Sequence, residues 1–83
     1  MIDSKRLEFL NECAELSNDI WGETVLGLLD AAHSCRHASR EFLAALENEI
    51  LGELEWAEEN CRIVERKETR TQEVTYKELE VEL

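Results

Sequence analysis

The sequence predicts an all-α fold: an antiparallel helical hairpin whose long second helix self-associates into a helical bundle, followed by a short extended or weakly ordered C-terminal tail. Three observations lead there. The 83 residues contain no proline and only three glycines, and Leu, Ala and Glu are abundant, which favours long helices. Apolar residues recur at helical spacing from Leu7 to Val64. The chain is also near the size at which a single core is marginal, where oligomerisation is a common remedy.

A first helix is expected over about 3–21, with Asp3 or Ser4 as its N-cap. Leu7, Leu10, Cys13, Ala14, Ser17, Ile20 and Trp21 fall on one broad face, which Phe9 and Leu16 widen. Gly22 reads as the residue just past a helix C-terminus and Thr24 as the next N-cap, so "WGET" is the expected helix-helix turn.

The second helix is expected over about 24–66. The polar segment "HSCRHAS" (33–39) invites a break near Ser34, but the helical phase runs through it. At 100° per residue, the apolar and small side chains from Val25 and Leu28 to Cys61 and Val64 stay within about 60° of one line. Such a helix of roughly 42 residues would be about 60 Å long, whereas a compact chain of this size is roughly 30 Å across. The first helix covers only half of that length, so the remaining stripe needs either a second copy or a tail that folds back over it.

That stripe is Leu43, Leu46, Ile50, Leu54, Ala57, Cys61 and Val64, whose mean spacing matches the roughly 3.5-residue period of a coiled-coil seam. It is the expected oligomer seam of a dimer or tetramer. A second line on the same helix, Phe42, Ala45, Glu49, Gly52 and Trp56, places large aromatics at its ends and small residues between them, as a further helix-contact surface requires.

The tail, 67–83, is richer in Thr, Val and Tyr. Val74 and Tyr76 alternate in one phase and Leu79, Val81 and Leu83 in the other, consistent with a short strand, a bulged hairpin or a frayed end. No linker or repeat divides 1–83, so one small helical domain is expected.

Charge restricts the partners. Twenty acidic residues against nine basic ones give a net charge of −11, and residues 41–61 hold seven glutamates and no base. Nucleic acid and anionic membrane are disfavoured as direct partners, because binding to either relies on Lys and Arg. A basic protein, one that itself binds DNA, is the expected partner, beside further copies of the chain. The glutamates around the stripe and Trp56 are the candidate contacts: Glu47, Glu49, Glu53, Glu55, Trp56, Glu58 and Glu59.

Little points to catalysis or to a bound metal or cofactor, and none of the three is expected. His33, His37 and Glu41 recur every four residues and would share a helix face, yet the Glu that a zinc-protease helix needs directly after its first His is replaced by Ser34. Cys13, Cys35 and Cys61 are odd in number and widely spaced, as reduced thiols in a cytosol would be. The opening "MIDSKRLEFL" lacks the apolar core of a signal peptide, and no apolar run approaches the roughly 20 residues of a membrane span, so a cytoplasmic protein is expected.

The functional expectation is a non-enzymatic, acidic, oligomeric protein that binds and inhibits a DNA-binding protein or nuclease through its acidic helical surface. In composition, though in no particular residue, it resembles phage and mobile-element inhibitors of the antirepressor, anti-restriction and anti-CRISPR type. The alternative expectation is a structural or chaperone-like helical assembly component that binds one client helix.

Overall fold

The computed structural model describes residues 2–35 and 37–82. Met1, Arg36 and Leu83 lie outside the described residues. The chain forms three helices and a β-hairpin in the order α1 (Ser4–Ser17), α2 (Ile20–Ser34), α3 (Arg40–Asn60), β1 (Cys61–Glu68) and β2 (Val74–Val81). The all-α expectation and the single long second helix are both overturned.

The first helix starts where expected, with the Asp3 carboxylate accepting from the Lys5 N–H. It stops four residues early. Asn18 takes the left-handed conformation (φ 50°, ψ 40°) that ends many helices, and Asp19 caps α2 by accepting from the Gly22 N–H at 2.9 Å. The turn is therefore "SND" rather than "WGET". Gly22 lies inside α2, where a Cβ would collide with the Ala14 carbonyl and the Ser17 hydroxyl, so the residue permits close helix contact and does not terminate a helix. Leu7 and Leu29 line one surface hollow at the other end of the pair, so α1 and α2 run antiparallel.

The expected helix over 24–66 breaks twice. The first break follows Ser34: the Cys35 N–H bonds to the Ala31 carbonyl, and Ser39 recaps the chain through its hydroxyl, which accepts from the Phe42 N–H. The second break is at Cys61, whose backbone is already extended (φ −115°, ψ 145°). Continuous phase misled because α2 is apolar on several sides. Leu26, Leu28, Leu29, Ala31 and Ala32 all pack on the core, so nearly any phase finds a match in that segment.

The core is built within one chain from Leu10, Cys13, Ala14, Val25, Leu46, Ile50, Leu54, Ala57 and Cys61. Five residues of the expected seam, Leu46, Ile50, Leu54, Ala57 and Cys61, are thus covered by the chain's own elements. Leu43 is half-buried beside an apolar groove, and Val64 is on a strand. Shortening the helix to 21 residues removes the uncovered length on which the seam argument rested.

From Cys61 the backbone becomes a hairpin, paired without a bulge from Cys61 opposite Val81 to Glu68 opposite Val74. Residues opposite one another share a face and alternate along each strand. The odd-numbered face, with Cys61, Ile63, Leu79 and Lys77, packs toward the helices, and the Lys77 ammonium reaches Glu12 of α1 at 2.8 Å. The even-numbered face carries Arg62, Val64, Arg66, Tyr76, Glu78 and Glu80, laced by Arg62–Glu80 and by Arg66 to Glu78 and Glu80. The two phases noted in the tail are the two faces of one regular strand.

The hairpin projects from the helices. The radius of gyration is 15.1 Å and the long dimension 53 Å, against about 12 Å expected for the radius of a compact chain of this length. Residues 65–77 are all exposed.

Candidate interaction surface

Helix α3 divides into an inner and an outer side. Leu46, Ile50, Leu54 and Ala57 point into the core, which leaves Glu41, Ala45, Gly52, Glu55 and Glu59 outward, with Phe42, Glu49 and Trp56 along one flank. Phe42 is 48% exposed and Trp56 37% exposed. Between these aromatics lie the small residues Ala45 and Gly52 beside Glu49, and a Cβ on Gly52 would meet nothing.

Trp56 is held in place by α2. Its ring packs on Trp21 with centroids 5.2 Å apart and planes tilted by 53°, and the Trp21 Nε1–H donates to the Glu53 carboxylate at 2.5 Å. Sequence inspection missed this pair, because the two tryptophans become neighbours only once α2 and α3 lie side by side.

The expected contact residues separate into three sets. Glu49, Glu55, Trp56 and Glu59 share the exposed outer side and its flank. Glu53 accepts from Trp21, and Glu58 forms a bidentate pair with Arg6 of α1 at 2.7 and 3.2 Å, which holds its carboxyl below the usual carboxylate range. Glu47 lies elsewhere, beside His33 at an apolar groove of about 530 Å³ lined by Ile2, Leu7, Leu29, Leu43 and Ile50. Glu41, absent from the expected set, joins the outer side at the start of α3. No described residue gives Glu41, Glu49, Glu55 or Glu59 a hydrogen bond or ion pair; Glu55 adds only to the field at Arg6.

The break after Ser34 leaves His33 on α2, His37 in the turn and Glu41 on α3, so their four-residue spacing no longer defines one helix face. Among the described residues no group of three or more His, Cys, Asp or Glu is placed to hold a metal ion. Cys13 and Cys61 are free thiols in the core; burial, then the proximity of Cys61 and Glu12, pushes Cys13 up to about 12, and burial also raises Cys61. Among the described residues no helix is long and apolar enough to cross a membrane.

Comparison with known proteins finds no matching family model, no matching curated protein and no matching solved structure. The functional reading therefore rests on the surface itself.

Proposed function

We propose that this is a non-enzymatic acidic protein that binds a basic, DNA-associating protein through the outer side of α3 and blocks its basic surface. The observation that carries this reading is the set of exposed carboxylates Glu41, Glu49, Glu55 and Glu59, unbridged among the described residues, around the small residues between Phe42 and Trp56. Carboxylates without partners steer a cationic surface toward α3, and exposed aromatics supply the contact area and hot-spot energy that charge alone lacks. The reading fits antirepressor, anti-restriction or anti-CRISPR inhibitors equally, since all three would occupy a basic nucleic-acid groove.

Copurification of the tagged chain from its native host, read by mass spectrometry, tests the proposal. The expected catch is a basic DNA-binding protein whose DNA affinity falls when this chain is added. A catch confined to neutral or acidic proteins would overturn it.

The apolar groove favours a second reading, in which the chain is an assembly component that takes apolar side chains of one client helix beside Leu29, Leu43 and Ile50. Leu43→Glu discriminates: it should abolish client binding in this reading and leave binding at the outer side of α3 unchanged.

A further inference from the structure

We propose that the projecting arm pairs with the arm of a second copy of this chain, β2 edge to β2 edge, in an antiparallel register centred on Thr75. A hairpin of two strands is marginal by itself in water, and here both strands are edges while residues 65–77 are exposed throughout. Neither strand contains a proline or a bulge that would turn away another strand.

The parity of the backbone shows what each edge offers. The Glu82 N–H bonds to the Asn60 carbonyl, in continuity with the hairpin register, whereas the Cys61 N–H turns back to Ala57. Even-numbered residues therefore bond across the hairpin, and odd-numbered ones, including Thr75 and Lys77, direct N–H and C=O outward. The β1 edge is blunted by Arg62, Arg66 and Lys67, the kind of charge that discourages strand addition. The β2 edge carries Val74, 48% exposed, and Tyr76, 41% exposed, with one cation, Lys77.

Centring the pairing on Thr75 makes that edge self-complementary. Thr75 exchanges backbone bonds with Thr75 of the second copy and Val74 lies opposite Tyr76, while Glu73 and Lys77 keep their ion pairs to Lys67 and Glu12 of their own chain. Only the projecting halves overlap, so the two helical bodies sit at opposite ends of a four-stranded sheet. Charge selects the same region. Residues 65–77 hold four bases and three acids in a chain whose net charge is −11, which makes the arm the segment two copies can bring together without repulsion.

Sedimentation velocity on the full chain across the micromolar range tests this. A reversible, concentration-dependent dimer is expected, and Thr75→Pro should weaken it by about tenfold or more. Proline is tolerated on an edge strand where the N–H faces outward, so circular dichroism should not change. A chain that stays monomeric throughout, or a dimer that Thr75→Pro leaves unchanged, would overturn the proposal.

Discussion

Trp21 of α2 and Trp56 of α3 lie with ring centroids 5.2 Å apart, and Glu53, one turn before Trp56, accepts the Trp21 indole N–H. This contact joins the two helices at the end opposite the apolar groove and fixes the aromatic end of the outer α3 surface. Trp21→Phe keeps the ring packing and deletes the donor. It should destabilise the fold by about 1 kcal/mol, since Glu53 is half-buried and loses one charge-assisted bond. Urea denaturation measures this, and the partner-binding surface should survive.

The glycines within helices should respond in opposite directions. Gly22→Ala forces a methyl into the Ala14 carbonyl and the Ser17 hydroxyl where α1 and α2 touch, and should destabilise by about 1–3 kcal/mol. Gly52→Ala adds a methyl to open space in the middle of α3 and should stabilise by about 0.5–1 kcal/mol. A loss of stability at Gly52 would mean that the outer side of α3 is already covered in the folded protein. Thermal melts of the two variants give both signs directly.

The core thiols should make the fold sensitive to alkali. An unfolded cysteine ionises near 8.5, whereas Cys13 is pushed up to about 12 and Cys61 is raised in the same direction. With the folded value the higher one, the stabilisation is fully present below about pH 8.5 and is lost as pH rises toward about 12. Denaturant midpoints measured over that window should fall, and Cys13→Ala should flatten the fall. At neutral pH a thiol reagent should label Cys35, which is partly exposed, well before Cys13 or Cys61.

Some of this architecture was legible in the residues and some was not. The Asp3 cap and the apolar face of the first helix could be read directly, because capping and period are local signals. The turn at Asn18 and Asp19 was hidden by Gly22, whose purpose is close packing against Ala14 and Ser17 rather than chain reversal. The first strand of the hairpin was hidden for a different reason, although alternation in the tail suggested a strand there. Its connection, residues 69–73, has no Gly, Pro, Asn or Asp to announce a turn, and Cys61 and Val64 happened to continue the helical phase. The outer line of α3 was visible as Phe42, Ala45, Glu49, Gly52 and Trp56. Which glutamates around it were already engaged was not visible, since Arg6 and Trp21 reach Glu58 and Glu53 only through tertiary contact.

The most direct test of the account is the affinity of the copurified basic partner for two charge-reversed forms, measured by calorimetry at low and high salt. Reversing the unbridged set, Glu41→Lys with Glu49→Lys, Glu55→Lys and Glu59→Lys, should weaken binding by about a hundredfold or more and remove most of its salt dependence. Reversing Glu8, Glu15 and Glu23, which lie on α1 and α2, should change affinity less than about threefold, through long-range steering alone. Equal losses in the two forms, or undiminished binding by the α3 form, would contradict the assignment of function to the outer side of α3.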